Sequence, residues 1–289
     1  MAETLKAYYQ IMLKFKMNSN NSHIFHNERE VNKIKLVRNA IITGAGRNRG
    51  IGAEICRTLA HQGVNIYFTS HDDYDSKVGD FSFSDYEITL NECLSAGAKA
   101  FFQCIDLTEP NAVGKMFDDA EDKLGCIDIL INCACFHVFD DIESITIDIL
   151  NDCFNVNAKA TLLMCKEFHS RNTSGNGSII LLSSTQELDA LTQEISYAIS
   201  KSSVPTIVST LAPVMARKGI RINAVNPGAT EIGDKRDRNI EVYRNENLFG
   251  RLGHPLDTAN LIRFLVSDEG KWITGQTINS EGGLFRGVR

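Results

Sequence analysis

The sequence has no uninterrupted apolar run near the roughly twenty residues that a membrane-spanning helix needs, so we predict no contact with a membrane. It also has no excess of positive charge, because 30 lysines and arginines stand against 36 aspartates and glutamates. The resulting net charge of -6 gives no electrostatic reason to bind nucleic acid. No secretory signal precedes the cysteines, so we expect reduced thiols and a cytoplasmic protein.

The eight cysteines do not form a metal-binding pattern. Cys133 and Cys135 are close in sequence, but no second close pair and no matching histidine cluster completes a tetrahedral set. Most of the cysteines lie in apolar segments, where a thiol packs as a small hydrophobic group. We therefore predict no metal site.

A regular alternation of apolar and amphipathic segments begins near residue 36. Residues 1–35 lie outside it, and we predict a flexible extension followed by one domain over residues 36–289. Near-continuous apolar runs such as 127–131 are typical of parallel strands that helices cover on both faces. The pattern predicts an α/β fold, a single doubly wound domain with a seven-stranded parallel sheet. The predicted strands are 37–43, 64–70, 98–105, 127–132, 178–183, 221–225 and 276–280, and the predicted helices are 51–62, 84–95, 112–123, 147–170, 197–217 and 256–265.

The first predicted strand runs into a glycine-rich loop that contains Gly44, Gly46, Gly50 and Gly52, and a predicted helix follows. Glycines allow the backbone to turn with positive φ and allow a pyrophosphate to approach main-chain N–H groups. The first turn of the following helix presents unpaired N–H groups and the positive end of its dipole. This strand, loop and helix predict a nucleotide-binding site.

The type of nucleotide depends on the residues around the second predicted strand. Ser70 ends this strand, at a place where an NAD-specific site is expected to carry an acidic residue. Arg49, and with it Arg47, could pair with a 2′-phosphate, for which a planar guanidinium is a suitable partner. The alternative is that both arginines are solvated loop residues. We favour NADP(H) over NAD(H).

Residues after the third and fourth predicted strands are also candidates for the cofactor. Asp106 could accept a hydrogen bond from the adenine amino group, with Leu107 beside it. Asn132 and Ala134 follow the next strand, where we expect a narrow passage between backbone and cofactor. Ligands of doubly wound sheets bind beyond the carboxyl ends of the strands, which is where all four residues lie.

Candidate catalytic residues follow the fifth predicted strand. Ser184 stands thirteen residues before Tyr197, and Tyr197 and Lys201 are four residues apart, on one face of a predicted helix. Because a nearby ammonium favours a phenolate, we expect Lys201 to lower the pKa of Tyr197. Tyr197 can then pass a proton to a carbonyl oxygen while hydride reaches the carbon, and Ser184 can hold that oxygen. Asn157 is expected to interrupt a long helix and to hold a water that links Lys201 to bulk solvent.

Several motifs occur together: Thr43-Gly44 with Gly50-Ile51-Gly52, Asp106, Val156-Asn157, Ser184 with Tyr197 and Lys201, Asn226-Pro227-Gly228 and the tail 272–283. With these motifs, residues 37–284 resemble a short-chain dehydrogenase/reductase of the classical type. The resemblance implies a Rossmann-like subunit of a dimer or tetramer that transfers hydride between a nicotinamide and a carbonyl or alcohol. It is strongest to bacterial 3-oxoacyl-(acyl-carrier-protein) reductase-like proteins. The candidate cofactor-binding residues are Thr43, Gly44, Gly46, Arg47, Arg49, Gly50, Ile51, Gly52, Ser70, Asp106, Leu107, Asn132, Ala134, Tyr197, Lys201, Pro227, Gly228 and Thr230.

The chain departs from the family pattern at several places. The glycine loop is two residues longer than usual, and cysteines at 133 and 135 replace an asparagine and a glycine. Ile232 stands where a threonine often contacts the carboxamide, a contact that Thr230 could make instead. Pro205 and Pro213 each oppose the carbonyl four residues earlier. We therefore predict a kink at Lys201, in a helix that commonly forms the dimer contact of the family.

Two weakly periodic stretches are predicted to lie at the surface. Residues 71–83 are rich in aspartate and serine and are predicted to form a surface loop. Residues 229–252 follow the sixth predicted strand and are predicted to form a mobile lid over the substrate. The arginines of this lid could receive an acidic substrate, but a solvated charged face is the favoured interpretation.

The predicted function is an NADPH-dependent carbonyl reductase. Tyr197 is the acid/base, Lys201 orients the ribose and Ser184 polarises the carbonyl. Asn157 holds the water of the relay between Lys201 and bulk solvent. A small molecule or a 3-oxoacyl thioester supplies the carbonyl. One alternative is an alcohol, sugar or steroid dehydrogenase of the same family. The alternative from another class is a catalytically weak NADP-binding sensor or scaffold. The intact Ser184, Tyr197 and Lys201 argue against it, whereas the altered segment 132–135 and the two prolines leave it open.

Overall fold

The computed structural model describes residues 37–78, 82, 84–185, 190–233 and 240–286. The predicted extension, residues 1–35, lies outside the described residues. Residues 234–239 of the predicted lid lie outside them as well. All candidate site residues belong to the described part.

In the described part of the chain, seven strands form one sheet in the order β3-β2-β1-β4-β5-β6-β7, and every neighbouring pair is parallel. The order reverses between β1 and β4, which leaves a crevice at the carboxyl ends of these strands. This arrangement confirms the predicted doubly wound, Rossmann-like sheet. The strands are β1 Asn39–Thr43, β2 Asn65–Ser70, β3 Ala100–Cys104, β4 Ile129–Asn132, β5 Gly177–Leu182, β6 Ile220–Asn226 and β7 Thr277–Asn279.

Helices cover both faces of the sheet. They are α1 Ile51–Ala60, α2 Asp72–Val78, α3 Ser84–Ser95, α4 Ala112–Leu124, α5 Ile147–Phe154, α6 Thr161–Arg171, α7 Ile195–Lys201, α8 Ser203–Ala216, α9 Ile240–Glu246 and α10 Pro255–Val266, with a π-helical segment Asn155–Ala160 between α5 and α6.

Alternate residues along the strands enter two separate cores. Ile42 and Ile131 face a core that contains Leu59 of α1 and Ile262 of α10. Their neighbours in sequence, Ile41 and Leu130, point the other way, into a second core. This core also contains Phe117 of α4, Phe168 of α6 and Val208 of α8. Burial on both sides explains why the strands read as apolar runs rather than as alternating patterns.

The prediction for residues 71–83 was wrong where α2 forms. The carbonyl of His71 accepts hydrogen bonds from the N–H groups of Tyr74 and Asp75, and these bonds start the helix. Its first turn carries Asp72, Asp73 and Asp75, and carboxylates at this position are stabilised by the positive end of the helix dipole. The helix places Tyr74 and Asp75 beside the end of β2, where they reach the crevice.

Two predicted interruptions of long helices are confirmed. The π-helical segment contains Asn157, at the place where the sequence predicts a break. The helix after Tyr197 is interrupted at Ser202, directly after Lys201 and three residues before Pro205. Pro213 lies inside α8, which continues through it. Among the described residues, no helix is long and apolar enough to cross a membrane.

Candidate active site

The glycine loop packs directly against the chain that leaves β4. Gly44 has a φ of 67°, and a Cβ at this position would lie 2.6 Å from Ala134 Cα. Thr43 Oγ1 donates to Asn132 Oδ1 (2.9 Å) and accepts from the N–H of Ala134 (3.2 Å). Asn132 in turn donates to Thr161 Oγ1 (2.6 Å). The polar side chains of Thr43 and Asn132 thus join two strand ends and fix the shape of the crevice.

A cleft opens at the carboxyl ends of β1 to β4. It brings together Gly44, Arg47, Ser70, Asp106, Leu107 and Ala134, which are six of the predicted cofactor residues. Tyr74, Asp75, Cys133, Cys135 and Phe136 also line it. Gly50, Ile51 and Gly52 form the start of α1, at the other end of the glycine loop. Beyond β6, Pro227, Gly228 and Thr230 form a turn in which Thr230 Oγ1 donates to the carbonyl of Pro227 (3.2 Å), outside the lining of this cleft.

The arginine that reaches the cleft is Arg47, whereas Arg49, named first from the sequence, lies exposed on the loop. Arg47 Nε lies 3.5 Å from Asp75 Oδ1. Its Nη1 is buried and has no hydrogen-bond partner among the described residues. The two-residue extension of the loop therefore moves the cationic group to Arg47. A buried guanidinium nitrogen without a partner favours an anion at this position.

The sequence did not indicate the two carboxylates at the end of β2. Asp72 Oδ1 accepts from Ser70 Oγ (2.8 Å), and burial raises the pKa of Asp75. A Cβ at Gly46 would collide with the side chain of Ser70 and would lie 2.7 Å from Asp75 Oδ2, so glycine is required there. The aspartates at the first turn of α2 were the sequence feature from which carboxylates at this end of the cleft could have been predicted.

The carboxylate of Asp106 accepts hydrogen bonds within its own turn. Its Oδ1 accepts from the N–H (2.8 Å) and the hydroxyl (2.7 Å) of Thr108, and its Oδ2 lies 3.8 Å from His71 Nε2. The side chain is held at the edge of the cleft, with Leu107 beside it. This position is consistent with the predicted adenine contact, which stays a prediction.

Ser184 lies beside Tyr197, close enough to act on the pKa of the phenol. Burial raises the pKa of Tyr197 well above its usual value, and the hydroxyl of Ser184 acts in the opposite direction. The sequence predicts a lowered pKa for this phenol. The net shift of the pKa is upward, so this prediction was wrong. Removal of the phenolate from water outweighs the effect of Ser184.

Lys201 lies on α7, four residues after Tyr197. The side chain is 3% exposed, and Nζ donates to the carbonyl of Leu182 at the end of β5. Burial lowers the pKa of Lys201, and the nearby thiols of Cys135 and Cys133 oppose this shift. The ammonium is thus fixed at the carboxyl end of the sheet by a single backbone acceptor.

Asn157 makes contacts other than those expected from the sequence. Its Nδ2 donates to the carbonyl of Phe136 (2.9 Å) and to Ser200 Oγ (2.8 Å), and its Oδ1 accepts from the N–H of Phe136 (2.8 Å). Asn157 therefore links the chain after β4 to α7, next to Lys201. The predicted water relay stays a prediction.

Sequence reasoning also missed His137 and Glu194. The Nε2–H of His137 donates to Glu194 Oε2 (3.1 Å), and the imidazole ring lies 4.6 Å from the ring of Tyr197. The two residues are 57 positions apart and belong to no motif that we considered, so the sequence carried no signal for them.

Known proteins resemble this chain in sequence and fold. A family model described as enoyl-(acyl carrier protein) reductase matches residues 44–285. The uncharacterized oxidoreductase YjdA of Bacillus subtilis is 37% identical over 251 residues, which are 86% of this chain and 97% of that protein. An NADPH-dependent aldehyde reductase-like protein of Arabidopsis thaliana chloroplasts is 34% identical over 258 residues, covering 85% and 93%. The crystal structure of angucycline C-6 ketoreductase LanV with bound NADP has a TM-score of 0.77 at 26% identity, covering 86% and 96%.

The chain belongs to the short-chain dehydrogenases/reductases, and the family and the fold predicted from the sequence are confirmed. Among the described residues, no group of three or more potential ligands could hold a metal ion.

Proposed function

We propose that the protein is an NADPH-dependent reductase of ketone or aldehyde carbonyls. The observation that carries the proposal is the placement of Ser184 beside the buried phenol of Tyr197, with Lys201 four residues further along α7. These groups lie beyond the end of β5, two strands away from the glycine loop. Two hydroxyls that lie side by side can both donate to one substrate oxygen.

The cleft fits a dinucleotide. A Cβ at Gly44 or Gly46 would collide with Ala134 or with Ser70 and Asp75, so both glycines allow the loop to pack closely beside the cleft. α1 begins at Ile51, and its positive end suits a pyrophosphate. Arg47 offers its unpartnered nitrogen to a 2′-phosphate. We therefore favour NADP(H), as in the relatives whose names include NADPH or NADP.

Each residue of the site has a separate role in the proposed carbonyl reduction. The nicotinamide cofactor supplies hydride when it is bound. Tyr197 is protonated across the neutral range because burial raises its pKa, so it holds the proton that a reduced carbonyl oxygen needs. Ser184 donates a hydrogen bond to the same oxygen as negative charge develops on it. Lys201 places a positive charge near the phenolate that remains.

The names of two of these relatives support carbonyl reduction, because one is called an aldehyde reductase-like protein and the other a ketoreductase. A 3-oxoacyl thioester stays one candidate substrate among several. The description of the family model names a different reaction, the reduction of an enoyl thioester. A substrate panel must therefore separate C=O from C=C reduction.

The test is a turnover assay in which NADPH absorbance is followed with 2,3-butanedione, a benzaldehyde, acetoacetyl-CoA and crotonyl-CoA. We expect turnover of at least one carbonyl substrate, and a loss on the order of 100- to 10,000-fold for Tyr197→Phe. NADPH binding without turnover would instead favour the sensor. Turnover of crotonyl-CoA alone would place the reduction at a C=C bond, and faster alcohol oxidation than carbonyl reduction would favour a dehydrogenase.

A further inference from the structure

An imidazole and a carboxylate lie beside the catalytic phenol. His137 packs edge-on against Tyr197, with the ring planes at 77° and the ring centres 4.6 Å apart. Glu194 accepts the Nε2–H of His137 at 3.1 Å. The two side chains are only 21% and 12% exposed, so this hydrogen-bonded pair is largely removed from solvent.

His137 is held from the cofactor side of the cleft. Its N–H donates to Tyr74 Oη (2.9 Å), which comes from α2 across the cleft. The residue before it, Phe136, is fixed through both its N–H and its carbonyl by Asn157. The ring of Phe139 packs against the imidazole at 4.8 Å. The position of His137 is therefore determined by contacts that do not involve Tyr197.

Glu194 is built into the start of the catalytic helix. It is the residue before α7, and its carbonyl accepts the N–H of Ala198 (2.8 Å). It also pairs with Asp140 in a short parallel bridge, in which the N–H of Asp140 donates to the carbonyl of Gln193 (3.0 Å). Glu194 thus stands three residues before Tyr197, at the start of the helix that carries the phenol.

We propose that His137 and Glu194 are positioning residues for Tyr197: the imidazole fixes the phenol ring, and the carboxylate fixes the imidazole and places a negative charge near the phenol. The proposal rests on the proposed function, in which Tyr197 delivers a proton. A phenol that stays protonated and cannot rotate is ready to donate to a carbonyl oxygen. The pair thus favours the reductive direction.

The charges around Tyr197 agree with this role. Burial is the first cause of its raised pKa, the thiol of Cys135 after β4 is the second, and Glu194 and Tyr74 raise it further. Ser184, after β5, opposes them by its hydrogen bond, and the ammonium of Lys201 lies one turn further along α7. Glu194 is the carboxylate in this set, and its charge can be removed with little change of shape.

The first test does not depend on turnover. The protein is labelled with tyrosine enriched in ¹³C at Cζ, the Tyr197 signal is assigned with Tyr197→Phe, and a pH titration is followed by NMR. In Glu194→Gln we expect the Tyr197 signal to begin its change at a pH lower by on the order of one unit, because a negative neighbour is lost. The matched control is Glu143→Gln, an exposed glutamate on the loop after β4, which should leave the titration unchanged. Identical Tyr197 titrations in the parent protein and Glu194→Gln would overturn the proposal.

The second test measures reduction of the best carbonyl substrate of the panel. His137→Ala is expected to lower kcat at least tenfold while the Kd for NADPH stays within twofold, and His137→Phe, which keeps a ring against Tyr197, should recover part of the loss. A change in cofactor affinity without a change in kcat would contradict a positioning role. If the panel gives no turnover, the proposed function fails, whereas the titration still decides whether the pair acts on Tyr197.

Discussion

Two opposite charges, Arg47 and Asp75, lie together in the cleft and are the basis of the proposed cofactor preference. Their side chains approach to 3.5 Å, and Arg47 keeps one buried nitrogen without a partner. A 2′-phosphate would satisfy that nitrogen, whereas the carboxylate of Asp75 would repel the same phosphate. Burial raises the pKa of Asp75, so its ionised form already carries an energetic cost.

Arg47→Leu should therefore weaken NADPH binding by about 10- to 100-fold, the range expected for a lost hydrogen bond to a charged group, and should change NADH binding little. Fluorescence titration with both cofactors gives the two Kd values. Arg49→Leu is the matched control, because it removes the same charge from an exposed position on the same loop. A larger effect at Arg49 would reverse the assignment.

Asp75→Asn should have the opposite effect and tighten NADPH binding several-fold, because the amide keeps the size of the side chain and removes the repulsion. The same titration measures it. Asp73→Asn, on the exposed side of α2, should leave the affinity unchanged. Weaker NADPH binding in Asp75→Asn would mean that the carboxylate contacts the cofactor.

Lys201 is expected to reduce the stability of the protein. Its folded-state pKa lies below the unfolded value because of burial, so the unfolded chain binds more protons and stability rises as pH passes upward through the folded pKa. Lys201→Met should raise the free energy of unfolding by about 1 kcal/mol near neutral pH, abolish turnover, and lose its advantage at alkaline pH. Urea unfolding at several pH values measures this, and a less stable variant at neutral pH would contradict it.

At the scale of the element, the π-helical segment Asn155–Ala160 connects the two halves of the site. The wider turn directs the side chain of Asn157 toward the chain after β4, and Thr161 Oγ1 donates to the carbonyl of Asn157 (2.8 Å). π-helical turns of this kind occur often at functional sites. Through Asn157 the segment fixes Phe136, the residue before His137, and Ser200, the residue before Lys201.

Asn157→Ala should lower the free energy of unfolding by about 2–4 kcal/mol, because it leaves the N–H and carbonyl of Phe136 buried without their partner. Chemical denaturation measures the change. Asn155→Ala provides the comparison, since Asn155 lies on the same segment and its side chain accepts only a long hydrogen bond from Lys159 (3.5 Å). Equal losses in the two variants would mean that the segment, rather than the side chain of Asn157, carries the stability.

Sequence patterns predicted the elements whose cause is local. The strands follow from apolar runs, and the break after Lys201 follows from Pro205, whose effect acts four residues earlier. α2 was missed because its residues 72–78 have no apolar stripe, only scattered aspartates with Tyr74 and Val78. Tyr74, His137 and Glu194 meet only in the folded chain, so their contacts could not be predicted without knowledge of the packing.

At the scale of the whole molecule, α5 and α6 leave large apolar side chains at the surface. Phe154, Leu162 and Leu163 are 40%, 47% and 39% exposed, and Ile147 at the start of α5 is 71% exposed. An apolar surface of this kind on a helix pair favours contact with another protein surface. We propose that a second copy of the chain covers it, in line with the predicted homo-oligomer.

The double variant Leu162→Lys and Leu163→Lys should therefore shift the protein toward the monomer, because two charges in an apolar interface cannot be solvated. Sedimentation velocity measures the state of the parent protein and of the variant. Val242→Lys, an equally exposed apolar position on α9, should leave the assembly unchanged. A parent protein that sediments as a monomer at every concentration would mean that these side chains do not form an interface between copies. Dissociation by Val242→Lys instead would place the interface at α9, within the predicted lid, and oligomerisation would then affect substrate entry directly.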